Sequence, residues 1–203
     1  FWGTAFATWR YSQQVPLAWR SLAPAAALAF VSSVFGAWLV TVISAQFLRQ
    51  ILPFVLLAVL LYTLARKDMG RQHLPRFAGR HEQVMICGIG AVMGWYDGFF
   101  GPGAGSFLVF LFVRLLGYDF LRAIASSKVL NLASNGAALM FFVAKGHIWW
   151  HYVVVMAIAN VAGSFLGTRL AMRHGVGFVR VVFLLVVFAL ILKTSIDAYA
   201  RAP

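Results

Sequence analysis

Gly94-Trp95-Tyr96-Asp97-Gly98-Phe99-Phe100-Gly101-Pro102-Gly103-Ala104-Gly105-Ser106 lies inside an apolar run from about Val84 to Leu116, and its reading decides the fold. A run of that composition should be one plain helix, yet it holds clustered glycines, a proline and a carboxylate. Glycine tolerates positive φ, while Pro102 lacks an amide proton and pushes Gly101 out of the helical region. A broken helix or a re-entrant loop is predicted. Unwound backbone at membrane depth needs cover from protein or a water-filled cavity, because unpaired amides there cost several kcal/mol each. Backbone N–H groups of the turn, with a helix resuming at Ser106-Phe107-Leu108, point at a common spot and suit a small anion. The competing reading is glycine used only for close helix packing, which leaves Asp97 and Pro102 without a purpose. A nucleotide phosphate loop is the weakest of the three readings, since no Lys-Ser/Thr ending follows and the surroundings are lipid-like.

Working outward, the 203 residues are 62% hydrophobic and 11% charged, with mean hydropathy +0.85, which excludes a soluble domain. The expected class is all-α, a polytopic helical membrane protein with five to seven apolar segments of about 20 residues each. The net charge of +12 reads as basic cytoplasmic loops, with membrane lipid and not nucleic acid as the surroundings. The lone cysteine, Cys87, excludes an intrachain disulfide. The start, Phe1-Trp2-Gly3, has no methionine or charged n-region and reads as a cut into something longer, not a signal peptide.

Residues 1–14 resemble the interfacial end of a helix, closing on Trp9-Arg10-Tyr11. Spans are predicted at about Ser21–Ile43 and Phe47–Ala65, the latter with Pro53 near its first turns. Arg66–Glu82, with Arg66, Lys67, Arg71, Arg76 and Arg80, is a cytoplasmic loop. A turn at Gly117-Tyr118-Asp119 precedes a helix from about Phe120 to Lys145, on which Ser127, Lys128, Asn131, Ser134 and Asn135 share one face. Two last spans are expected at about Trp149–Met172 and Phe178–Ile196, joined by a turn with Arg169, Arg173, His174 and Arg180 around it.

The chain repeats itself at an offset of 131, with Trp150 on Trp19, Gly167 on Gly36, Leu170 on Leu39, Phe178 on Phe47 and Arg180 on Arg49. Two homologous halves with a site at their interface are characteristic of secondary transporters. The division is then 1–66, the remnant of a first transport half; 67–82, a cytoplasmic loop; and 83–203, the second half. The partner of Val84–Ser134 falls before residue 1, so a longer protein with a second glycine-rich loop upstream is expected. If the central segment crosses fully, the loops divide 10 basic residues against 6, Lys128 set aside; if it re-enters, 12 against 4. The sharper split favours a re-entrant segment and inverted halves.

The motif Gly94-x-Tyr96-Asp97-Gly98-Phe99-Phe100-Gly101-Pro102-Gly103-x-Gly105-Ser106, followed by Ala123-x-Ala125-Ser126-x-Lys128-Val129-x-Asn131, resembles the TauE/SafE sulfite exporter family. Thr8-Trp9-Arg10-Tyr11 and the two-half layout belong to the same resemblance. It implies a multi-pass transporter of the bacterial inner membrane that moves sulfite, sulfoacetate or related organosulfonates. The family has about seven or eight spans and a glycine-rich motif near its N-terminus; that motif is missing from this chain.

Candidate substrate-binding residues are Gly101, Gly103, Gly105, Ser127, Lys128, Asn131 and Asn135. A lysine in mid-span costs several kcal/mol unless it is paired or hydrated, so Lys128 either meets the anion or pairs with Asp97. Asp97 itself is a proton-coupling group or a helix cap. His147 and His151 sit beside Trp149 and Trp150 as interfacial residues, and no metal or cofactor is expected. Alternating-access transport of a small anion is the leading function. An uncoupled anion channel or an accessory membrane subunit stands second. An intramembrane enzyme stands last, because no Gly-x-Ser-x-Gly elbow is present.

Overall fold

A computed structural model describes residues 1–65, 74–146 and 150–199. The elements are α1 (Trp2–Ser12), α2 (Trp19–Val42), α3 (Ala45–Ala65), α4 (Gly79–Phe99), α5 (Ala104–Arg114), α6 (Phe120–Ala144) and α7 (Trp150–Tyr199), with no strand among the described residues. By length and composition α2, α6 and the stretch Val153–Leu170 of α7 suffice to cross a membrane. Large apolar side chains such as Val31, Val92, Met140 and Met156 stand exposed around the bundle, as a lipid-facing surface requires. The chain is thus an all-α membrane protein with an interrupted glycine-rich segment. Residues 66–73 of the basic loop and 147–149, including His147, lie outside the described residues, as does the side chain of His151.

The seam between α2 and α4 organises the bundle. A Cβ on Gly90 would lie 2.5 Å from the Ala25 carbonyl oxygen, one on Gly94 2.6 Å from Ala29 Cα, and one on Gly98 2.8 Å from Ser33 Cα. The two helices therefore run parallel in a fixed register, three glycines against two alanines and a serine, with backbones closer than any side chain allows. Close packing is accordingly the role of Gly94 and Gly98, and unwinding is confined to Phe100–Gly103.

From there α5 turns back. Leu74 N–H donates to the Gly117 carbonyl at 2.9 Å and Arg76 N–H to that of Leu116 at 3.0 Å, while the Tyr118 hydroxyl donates to the Glu82 carboxylate. Burial first, and then that hydrogen bond, push the Tyr118 pKa upward, so it stays a donor. The end of α5 thus returns to the level at which α4 starts, and α4–turn–α5 is a re-entrant hairpin. Its core joins Ile86, Ile89 and Met93 of α4, Leu108 and Phe112 of α5, Leu22 of α2 and Leu130 of α6. Asp119 caps α6, its carboxylate accepting from Arg122 N–H at 3.0 Å.

At this same end α1 terminates, since Tyr11 and Val15 pack on Ile124 and Ala125 near the start of α6. Arg10, Arg20, Arg76, Arg80, Arg114 and Arg122 gather there, and Lys145 lies at the other.

Two expectations need correction. Pro53 is the ninth residue of α3, not part of its first turn. More substantially, the two spans predicted after Trp149 are one helix of 50 residues, about 75 Å long at 1.5 Å per residue. The physical reason lies at residue 175. Ser44, its counterpart under the offset of 131, opens α3 with its hydroxyl oxygen accepting from Phe47 N–H at 3.3 Å, whereas Gly175 has no side chain to cap a new helix. Without a proline between 173 and 178, nothing stops the i→i−4 ladder.

Candidate functional site

The unwound turn is built by three residues. Gly101 and Gly103 take φ of +81° and +80°, which a side chain would strain by about 1–2 kcal/mol each. Pro102 lies between them, its carbonyl accepting from the Tyr96 hydroxyl at 2.7 Å, and the Tyr96 ring stands edge-on to Phe107 at 5.6 Å. Tyr96 thereby pins the end of α4 to the turn. Sequence reasoning missed it, although a tyrosine six residues before a glycine-flanked proline was available as a signal.

Helix α5 then starts at Ala104, with Gly103 as its N-cap and no side-chain cap. Asp97 therefore does not cap it. Gly101 N–H donates to the Tyr96 carbonyl at 3.3 Å and Ala104 N–H to that of Gly101 at 3.2 Å. Gly103 and Gly105 have no hydrogen-bond acceptor for their N–H groups among the described residues. Two free amides at the positive end of a helix of 11 residues are donors in search of an acceptor.

Asn131 faces this turn across the α5–α6 boundary: a Cβ on Gly105 would stand 3.2 Å from its Nδ2. Asn135 Nδ2 donates to the Asn131 carbonyl at 2.7 Å and also to Asn131 Oδ1. That bond occupies the oxygen of the Asn131 amide and leaves its NH2 turned to Gly105. Gly101, Pro102, Gly103, Gly105 and Asn131 are half-buried, not sealed.

Lys128 lies one turn before Asn131 on α6 and makes no ion pair among the described residues. The predicted alternative of a Lys128–Asp97 pair is not formed. Asp97 instead accepts from the Ser134 hydroxyl, while the Ser134 carbonyl accepts from Ser33 on α2 at 2.8 Å. Ser33 and Ser134 thus tie α2, α4 and α6 together beneath the turn. Ser127, 2% exposed, has a hydroxyl without a hydrogen-bond partner among the described residues, an arrangement that costs about 1–3 kcal/mol in a finished interior. The structure brings together Gly103, Gly105, Asn131 and Asn135, with Lys128 and Ser127 a turn away on α6. It sets Asp97 apart with Ser134, and Gly101 is engaged by Tyr96.

A family model described as "Sulfite exporter TauE/SafE" matches residues 1–194. Among curated proteins the chain is similar to "Probable membrane transporter protein YfcA" of Escherichia coli (strain K12), 34% identical over 175 residues, which are 86% of this chain and 64% of that protein. It is also similar to "Probable membrane transporter protein ORF9" of Sinorhizobium sp, 31% identical over 195 residues, covering 96% of this chain and 74% of that one. A "Probable membrane transporter protein" of Haemophilus influenzae is 31% identical over 172 residues, with 83% and 65% covered. The chain therefore spans about two thirds of the length of these relatives. No solved structure is matched.

Proposed function

We propose, from the premise that this chain belongs to the sulfite exporter TauE/SafE family of membrane transporters, that its re-entrant turn receives a small oxyanion such as sulfite or an organosulfonate and passes it across the bacterial inner membrane. One observation carries the reading: the N–H groups of Gly103 and Gly105 have no acceptor among the described residues, and the Asn131 NH2, likewise without one, stands beside Gly105. Neutral amide donors at a helix N-terminus stabilise an anion without trapping it, and Lys128, one turn away and without an ion pair among the described residues, supplies charge on the route. The basic end, from Arg10 to Arg122, faces the cytoplasm under the inside-positive bias.

Two inverted halves fit alternating access, and a pair of contacts supports them. Gly3 N–H of α1 donates to Asn160 Oδ1 of α7 at 2.8 Å, and a Cβ on Gly3 would lie 2.6 Å from Ser164 Oγ. Exchanging the halves by the offset of 131 turns the Gly3–Ser164 contact into Ser134–Ser33, which is the hydrogen bond between α6 and α2. The related helices α2 and α7 start at opposite ends of the bundle, as inversion demands. Asp97 is the proton-coupling group in this scheme.

The test is counterflow of labelled sulfite and sulfoacetate in proteoliposomes, using the protein extended to the length of its relatives. Lys128→Ala and Gly103→Val are expected to abolish flux. Normal transport by both variants would put the anion elsewhere, and unitary currents in a planar bilayer would favour the channel over the carrier.

A further inference from the structure

A second cationic site lies away from the turn, in a cavity of about 190 Å³ between α1 and α7 lined by Phe6, Arg10, Phe165, Thr168 and Arg169. We infer that it holds the phosphate of an anionic phospholipid, gripped between Arg10 and Arg169. Arg10 occupies the last turn of α1 and Arg169 the end of the apolar stretch Val153–Leu170, so both guanidinium groups sit where hydrocarbon gives way to headgroups. Neither has a carboxylate partner among the described residues. Two guanidinium groups around one cavity repel each other until an anion enters, and their planar forks suit phosphate oxygens. The Thr168 hydroxyl, on a residue only 7% exposed, adds a further donor to the same wall.

The apolar side of the cavity selects the source of that phosphate. Phe6 and Phe165 close it with ring centroids 6.0 Å apart, and Trp9, Phe165 and Leu166 extend it as exposed apolar surface, 54%, 46% and 57% accessible. Such a surface accepts an acyl chain below the headgroup and offers nothing to a free oxyanion. Trp9 also sits at the level where indole rings anchor helices in the interface. The inference does not depend on where the transported anion binds.

Native mass spectrometry of the full chain, released from detergent after exposure to phosphatidylglycerol or phosphatidylcholine vesicles, tests it. Phosphatidylglycerol is expected to be retained preferentially, with retention falling roughly fivefold for Arg10→Gln or Arg169→Gln and further for both, given about one kcal/mol per basic residue near an anionic lipid. Arg169→Lys, which keeps the charge, should restore much of it and excludes misfolding as the cause. Equal retention by the double glutamine variant would overturn the proposal. Displacement of the lipid by millimolar inorganic phosphate or sulfite would also overturn it, by making the cavity a site for a soluble anion.

Discussion

The Ser134 hydroxyl donates to the Asp97 carboxylate across the α4–α6 boundary, and the backbone carbonyl of the same serine accepts from Ser33. One residue thus holds the carboxylate and the third helix together. Ser134→Ala should lower the unfolding midpoint in detergent by the equivalent of about 1–3 kcal/mol, because a half-buried carboxylate loses its donor. Asp97→Asn keeps an acceptor for Ser134, so it should melt close to the parent while abolishing any dependence of flux on an imposed proton gradient. Gradient-driven flux that survives in Asp97→Asn removes the carboxylate from the coupling step.

The glycine seam makes a steric prediction with an internal control. A methyl group on Gly98 would run into the Ser33 backbone, whereas one on Gly88 of the same helix meets nothing within 4 Å. Gly98→Ala should destabilise by about 1–3 kcal/mol, the usual range for overpacking. Gly88→Ala should be neutral or stabilise by up to about 1 kcal/mol, the difference in helix propensity. Thermal unfolding of the two variants side by side decides it.

The hairpin fixes sidedness. In a Cys87→Ser background, cysteines placed at Arg80 and Leu115 should react with a membrane-impermeant maleimide from the same face, and one placed at Lys145 from the other. A segment that crossed fully would put Arg80 and Leu115 on opposite faces.

Removing donors from the turn should reduce flux without unfolding the bundle. Asn131→Leu deletes the NH2 that faces Gly105, and a tenfold or larger fall in kcat/KM for sulfite is expected, the usual loss for a hydrogen bond to a charged group. Gly103→Ala should reduce flux as well, with a stability cost of about 1–2 kcal/mol from the positive φ. A normal kcat/KM in Asn131→Leu would separate this asparagine from the anion.

Much of this architecture is legible in the residues, because lipid-facing helices announce themselves by composition. The ends of α2, α3 and α6 fall within two residues of the sequence-based bounds, and the charge split that favoured a re-entrant hairpin agrees with the return of Leu116 and Gly117 to Leu74 and Arg76. The extent of unwinding was misjudged, since glycine serves helix contact and helix breakage alike. The four-residue spacing of Gly90, Gly94 and Gly98, matched by Ala25, Ala29 and Ser33, was the available sign that most of them pack. The pairing of Lys128 with Asp97 was a charge argument without geometry, and the structure gives the carboxylate to Ser134. The absence of a proline between 173 and 178 and of a capping side chain at Gly175 was the available sign of the unbroken helix.

The parallel seam has a mechanical corollary. Helices locked backbone to backbone at Gly90, Gly94 and Gly98 cannot slide or tilt past one another, so α2 and α4 behave as a single strut. On the proposed transport reading, rocking would be taken up at the positive-φ glycines Gly101 and Gly103, which sets the bend of the chain beside the amides proposed to meet the solute.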